Sequence, residues 1–378
     1  MKHFKFFLLA ISTLWISTPA AANWWCVIVP SLCPPPVELV TNDGPEGELW
    51  VPEIDNDSVV VIDTKTSLVT ARYHLHPGAR PAVLAASGNG DKVFVDNFGP
   101  FPYPSVSIID RTTGEVRTES VASVPMGIFP SKDDTEVYLP EIGGLIEVMD
   151  VETEKVVRAF NFLPEIPVAS INGPDDKLWV GFMSGKVGVY DPLTGEEIRP
   201  PLAVGGIATF WFTFTADGKT MFTDSVNTIG VVDIDSWTLK KNIQTSHDGV
   251  YRLGNPGAFT SELSPDGKSV YVSLFGENRV LIIDVVSEEI VDHIDTDGSQ
   301  IGLVFSEDGT RGYISDLGPS SAGYTGLLGE ILLFFNIITL GILDKGHVIE
   351  FDPVTNTVIR TIPTEEAPSI GIWLSNHN

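Results

Sequence analysis

Cysteine is almost missing from this chain: Cys26 and Cys33 are the two among 378 residues. Zinc or dithiol redox chemistry would need further ligands or a Cys-x-x-Cys pair, so neither is expected of these two. Basic residues are scarce too, 23 Lys and Arg against 50 Asp and Glu, for a net charge of −27. No Lys/Arg cluster offsets that charge, so phosphate backbones are repelled and nucleic acid is excluded as an expected partner. Nucleophile-elbow, P-loop, His-Glu-x-x-His, EF-hand and haem motifs are absent. Asp295-Thr296-Asp297-Gly298 lacks the remaining ligands of a calcium loop and reads as a turn. Long apolar runs occur twice, over 6–16 and 327–343, and both fall short of the roughly 20 residues a membrane-spanning helix needs.

The first of these runs explains itself. Lys2 and Lys5 precede it, and Ala20-Ala21-Ala22 follows as a small-residue cleavage site, so residues 1–22 are expected to be a secretory signal peptide. That expectation makes the protein secreted or periplasmic. In an oxidising compartment Cys26 and Cys33 should then form a local disulfide within an N-terminal segment, 23–36.

What the chain has in abundance is one repeated phrase: an apolar run, Asp, two free positions, then Ser or Thr. Its aspartates are Asp63, Asp110, Asp150, Asp191, Asp233, Asp284 and Asp352, spaced 47, 40, 41, 42, 51 and 68 residues. An Asp opening a turn accepts backbone N–H groups a few residues on, and the hydroxyl closes the same turn, so these aspartates read as scaffold. Each repeat also has a hairpin of the SPDG kind and a short strand carrying one aromatic: Trp50, Phe94, Tyr138, Trp179, Phe222, Tyr271 and Tyr313. A period of about 40–45 residues made of short strands predicts an all-β fold, a seven-bladed β-propeller of four-stranded antiparallel blades over 37–378.

The stretches SPDGKSVYVSLFGENRVLIIDVVSEEIVDHI, DKVFVDN with SVSIIDRTTGEVRT, and DKLWVGFMSGKVGVYDPLTGEEI resemble the YVTN-type β-propeller repeat family. The resemblance covers roughly residues 37–375 and is distantly shared with lactonase-like propellers. It implies the fold strongly and function poorly, with a site at the loop-rich mouth of a central channel. Two segments could supply the closing strand, VELVTNDG at 37–44 and SIGIWLS at 369–375, and the C-terminal one is favoured.

Chain direction separates two faces. SPDG hairpins and Asp turns share one; the loops after the aromatic strands and the connections between blades share the other, where the longer loops place any site. The residues ending each aromatic strand are expected around that mouth: Glu53, Asn97, Glu141, Phe182, Ser225, Leu274 and Asp316, with Asp96 and Asp224 one position earlier. Glu53, Asn97, Glu141 and Asp316 offer oxygen ligands for a hard cation such as Ca²⁺; solvated loop acids are the plainer alternative. The connecting loops add His74, His76 and Arg80, then His247, Asp248, Tyr251 and Arg252. His247 beside Asp248 is a candidate acid/base pair. His76, Arg80, Asn97, Glu141, Asp224, Tyr251 and Arg252 are candidate ligand contacts.

The largest departure from the repeat is 317–346, nearly all apolar from 327 to 343. Three readings stay open: a lid over the mouth built on Leu332, Phe334 and Phe335, a membrane-surface or protein contact, or packing against a neighbouring blade. Function is read as binding of a small, partly hydrophobic ligand at the mouth. The alternatives are a lactonase-, isomerase- or cyclase-like enzyme at the same mouth, and an interaction protein docking through 317–346.

Overall fold

A computed structural model of the chain describes residues 43–99 and 102–376. The expectations placed on residues 1–42, namely the signal peptide, the Cys26–Cys33 disulfide and most of the alternative closing strand, lie outside those residues.

Seven four-stranded antiparallel sheets stand in a ring, the β-propeller predicted from the repeat. From the channel outward, blade 1 is Ile372–Leu374, Glu48–Glu53, Ser58–Asp63 and Leu68–His74; blade 2 is Pro81–Ala86, Lys92–Asn97, Ser105–Asp110 and Val116–Ser120. Blade 3 is Phe129–Pro130, Glu136–Pro140, Leu145–Asp150 and Lys155–Asn161; blade 4 is Pro167–Asn172, Leu178–Phe182, Lys186–Tyr190 and Glu197–Ala203. Blade 5 is Trp211–Phe214, Thr220–Asp224, Ile229–Asp233 and Thr238–Ile243; blade 6 is Gly257–Leu263, Ser269–Phe275, Arg279–Asp284 and Glu289–Asp295. Blade 7 is Gln300–Phe305, Gly312–Asp316, Lys345–Asp352 and Thr357–Glu366.

Blade 1 therefore takes its innermost strand from the C-terminus. Glu48 faces Leu374, Leu49 faces Trp373 and Trp50 faces Ile372 across an antiparallel pair. Closure removes the sheet edge that an open propeller would expose.

The seven Asp phrases all make the same turn. In each, the Asp Oδ1 accepts the backbone N–H three residues on, at 2.7 to 3.3 Å. The next residue has positive φ: Ser67, Gly114, Glu154, Gly195, Trp237, Glu288 and Asn356. Two of the seven are glycine, so five side chains sit in the left-handed region, at a cost that the carboxylate's grip on the turn offsets. The seven strand aromatics are all at most 2% exposed and wedge between neighbouring blades. Each such burial contributes about 1.5–3 kcal/mol.

Between Gly312–Asp316 and Lys345–Asp352 of blade 7 the chain forms helix α1, Gly326–Phe335, followed by a wider turn over Asn336–Leu340. No helix among the described residues is long and apolar enough to cross a membrane.

Candidate functional site

Helix α1 lies over one end of the channel because its sequence gives it an apolar underside. Glu330, Leu333 and Ile337 recur at helical spacing and are buried, and Ile337 and Leu343 join a cluster with Ile54, Phe275, Ile301 and Leu317. Gly341, in the left-handed region at φ 61°, ends the segment, its N–H bonding the Asn336 carbonyl at 3.0 Å. Leu332 and Phe335, expected among the main buried contacts, are instead 49% and 50% exposed. They fall on the outer side of the helix, and of the expected trio only Phe334 turns under, meeting Phe98 edge-on at 5.8 Å.

Polar contacts fix the two ends of the roof. Arg80 donates to the Ile337 carbonyl at 2.7 Å and the Thr339 carbonyl at 3.3 Å, and pairs with Asp55. Burial pushes the Asp55 carboxyl up to about 6, with Arg80 pulling the other way. Arg80 was expected to meet ligand; here its guanidinium holds the roof. On the other side, the Glu330 side chain fills a slot beside Gly257 and Gly276, where a Cβ on Gly276 would fall 2.6 Å from Glu330 Cγ. Burial pushes Glu330 up to about 8 despite the Gly257 N–H, so it is held largely protonated at neutral pH.

Beneath the roof is a cavity of about 60 Å³. Phe334, Ile337 and Ile338 cover it; Phe210, Phe259, Phe275 and Ile301 form much of its wall. Phe210, Phe259 and Phe275 stack in sequence at 5.0 and 5.3 Å. Its floor includes Phe129, Trp211 and Ile370, which also line a wider opening on the opposite side. Ser369, 1% exposed, contributes a hydroxyl that has no hydrogen-bond partner. A groove of about 270 Å³ runs beside the helix past Leu327, Glu330 and Ile331 and shares four phenylalanines with the cavity.

The ring of acids expected at this mouth is not assembled. Glu53 accepts Arg72 Nε and Nη2 at 2.9 and 3.0 Å, Ser58 Oγ at 2.6 Å and the Glu365 N–H at 2.9 Å. Burial raises its pKa, but these bonds outweigh it and the net shift is downward. Asn97 donates to Ser105 Oγ and Ser107 Oγ, beside His76. Glu141 accepts the Ser123 N–H and hydroxyl, both at 3.0 Å, and burial with the nearby Glu147 raises its pKa. Asp316 accepts the Gly318 and Gly298 N–H groups at 2.6 and 3.1 Å. Among the described residues no three His, Cys, Asp or Glu side chains converge as a metal ion requires. The physical reason is radial: the aromatic strand is second in its blade, so residues at its end stand behind the innermost strand and are claimed by neighbouring side chains and backbone N–H groups.

Asp96 and Asp224 are buried completely and by burial pushed up to about 7 and about 8. Asp96 fills an irregularity in its own sheet by accepting the Ala82 and Val83 N–H groups. Asp224 makes no well-formed hydrogen bond on either oxygen, and the nearby Ser261 hydroxyl only partly offsets its burial. His76 Nε2 lies 3.0 Å from Ser105 Oγ, and its ring stacks on Tyr103. His247 and Asp248 do not form a pair. His247 contacts Glu277 at 2.6 Å and Arg279 at 3.0 Å, whereas Asp248 is bound by Arg252, which holds its carboxyl well below the usual range. Tyr251 reaches Asn227, and none of His247, Asp248, Tyr251 or Arg252 lines the cavity. His247 and Asp248 lie in a turn beyond the strand that ends at Ile243, where each side chain takes a different partner.

Sequence reading missed Glu330 and Ser369 as site residues. The signal for Glu330 was a lone acid inside an apolar run; Ser369, just before the closing strand Ile372–Leu374, gave none.

No family model matches the chain. Antigen Lp49 of Leptospira interrogans is 23% identical over 293 residues, 71% of this chain but 52% of that protein, so the match spans about half of its length. Among solved structures, a protein from Lactobacillus plantarum is similar at TM-score 0.67 and 15% identity over 87% of this chain and 99% of its own. A functionally unknown protein from Desulfotomaculum acetoxidans gives 0.63 and 15% over 88% and 100%. The dihydro-heme d1 dehydrogenase NirN, in complex with DHE, gives 0.57 and 14% over 95% and 83%. At these identities the likeness is one of fold: the chain is a seven-bladed β-propeller.

Proposed function

We propose that this protein is an exported binding propeller that takes a small, mainly apolar ligand in the cavity between the channel and helix α1. The observation that carries the reading is that cavity. Its wall is apolar and largely aromatic, it is roofed by a segment outside the repeat, and it holds one unpartnered hydroxyl, Ser369 Oγ. An apolar cavity of this kind stays dry and favours an apolar guest, and a lone hydroxyl selects a guest with a single hydrogen-bonding group. At about 60 Å³ the closed cavity suits a small guest, and a longer one would extend along the neighbouring groove. An acid/base role for His247 and Asp248 draws no support from their separate pairings.

The test is binding of small aromatic alcohols followed by backbone NMR. Shifts should gather at Phe259, Ile301 and Ser369 and vanish in Ile338→Trp, which fills the roof. Absence of shifts at millimolar probe, or binding that survives Ile338→Trp, would remove this reading.

A second reading rests on the outer side of the same segment. Leu328, Ile331, Leu332, Phe335, Leu340 and Ile342 are 49 to 71% exposed, a contiguous stretch of chain that favours docking to an apolar partner surface. Double substitution of Leu332 and Phe335 by Ser would abolish such docking in vesicle or partner sedimentation while leaving the cavity ligand bound.

A further inference from the structure

The opposite end of the channel is open. There the innermost strands splay into a funnel of about 810 Å³, separated from the roofed cavity by the neck of Phe129, Trp211 and Ile370. Its wall is mostly apolar and includes Trp211, Phe214, Ile171 and Trp373. Two acids line it among the described residues, Asp134 at the rim and Glu262 within the wall, on the innermost strand of blade 6. No basic group or hydrogen-bond donor meets its carboxylate among the described residues, and Tyr271, its cross-strand neighbour, bonds away to Pro353 and Asn356. The ionisable group on which its charge acts is Asp224, another acid. Lys132 at the rim is already paired with Asp176, and Asp134 beside it is acidic.

An unpaired carboxylate in a desolvating aromatic funnel is a site lacking its cation. Aromatic faces complete such a site, because the ring quadrupole attracts an ammonium group, more strongly as water is excluded. We infer that the funnel is a second binding site, for an organic ammonium ion on a flat apolar body, with Glu262 as its counter-ion and Trp211, Phe214 and Trp373 as its apolar contacts. The protein's net charge of −27 concentrates such cations at the surface. The inference is independent of the roofed cavity, which lies beyond the neck.

The probe pair is phenethylammonium and its neutral analogue 2-phenylethanol, titrated by calorimetry and by the Trp373 indole N–H resonance. The amine should bind at least tenfold tighter than the alcohol. Glu262→Gln should weaken the amine at least tenfold and change the alcohol less than twofold. Wild-type protein supplies the arm that needs no variant. Burial holds Glu262 near about 7, so lowering the pH from 8 to 5.5 should weaken the amine roughly thirtyfold and leave the alcohol unchanged. Ile338→Trp, in the roof, should have no effect on the amine. Amine binding that is no tighter than the alcohol's, is insensitive to pH, or is unchanged in Glu262→Gln overturns the proposal.

Discussion

Replacing Glu53 by Ala separates scaffold from ligand site in one experiment. In the folded protein this carboxylate is fully buried and gathers the Arg72 guanidinium, the Ser58 hydroxyl and the Glu365 N–H. Removing it strands a charge and two buried donors. Losing one partner of a buried pair costs about 3–5 kcal/mol. The Arg72 side chain keeps 27% exposure and can re-solvate, so the lower end, about 3 kcal/mol, is expected. At roughly 2 °C per kcal/mol for a chain this long, the melting temperature should fall by about 6 °C. Glu53→Gln keeps one acceptor and should lose about 1–2 kcal/mol. The pH signature is fixed by sign. Because the folded pKa is depressed, the stabilisation is complete above the unfolded value of about 4.3 and is lost as pH falls below it. Calorimetry at neutral pH, with and without millimolar Ca²⁺, decides the matter. A melting point within about 1 °C of wild type, or a loss that appears only when Ca²⁺ is present, would refute the scaffold role and restore the carboxylate as a metal ligand.

Four further outcomes follow from the same structure. Asp150→Ala removes an acceptor for the Thr153 N–H at 2.7 Å and its hydroxyl at 2.6 Å; urea unfolding should register about 0.5–2 kcal/mol, with ligand binding intact. Asp96, Asp224 and Glu330 have folded pKa values raised to between about 7 and about 8, so the folded state binds more protons between pH 4 and 8, and melting temperature should fall as pH rises through that window; Asp224→Asn should flatten the slope and stabilise the protein at pH 8. Arg80→Ala frees the carbonyls of Ile337 and Thr339; amide exchange over 330–341 should quicken at least tenfold while the innermost strands keep their protection. Truncation after Pro368 removes the strand that closes blade 1, so the monomer should lose cooperative melting, visible in calorimetry as a broadened transition.

Fold was legible in the sequence because its determinants are local and repeated. An Asp turn needs four or five residues and an SPDG hairpin four; both recur seven times, and the aromatic between them marks one strand of every blade. Ring closure was half-legible, since SIGIWLS and VELVTNDG both have strand-like apolar alternation and only pairing decides between them. The acids were misplaced for a geometric reason. Glu53, Asn97 and Asp316 end the second strand of their blades and Glu141 follows it directly, and whether that position faces the channel depends on what stands in front of it. The innermost strands carry weaker marks: that of blade 3 is only Phe129–Pro130, too short for any periodic pattern. His247 and Asp248 show the same limit, since adjacency in sequence says nothing of who pairs with whom. Arg279 and Glu277, some thirty residues away, take the histidine.

Polar groups in this propeller divide by whether the repeat satisfies them. All seven Asp turns are closed by their own chain, so substituting any one should be felt in stability and hardly in binding. Along the channel the accounting comes out differently: Ser369, just before the closing strand, and Glu330, on the roof, each keep a buried oxygen without a partner, and Glu262, half-buried on the innermost strand of blade 6, has no donor for its carboxylate among the described residues. A buried polar atom left unpaired costs about 1–3 kcal/mol. That cost is the free energy a ligand recovers by supplying the missing partner, so unpaired groups facing a cavity mark where binding is favoured. The neck of Phe129, Trp211 and Ile370 then separates two compartments of opposite preference. One is closed, apolar and answered by a hydroxyl; the other is open, aromatic and answered by a carboxylate. If the two proposals hold, a neutral apolar guest takes the first and an organic cation the second, and one protein sample titrated with both should bind them without competition.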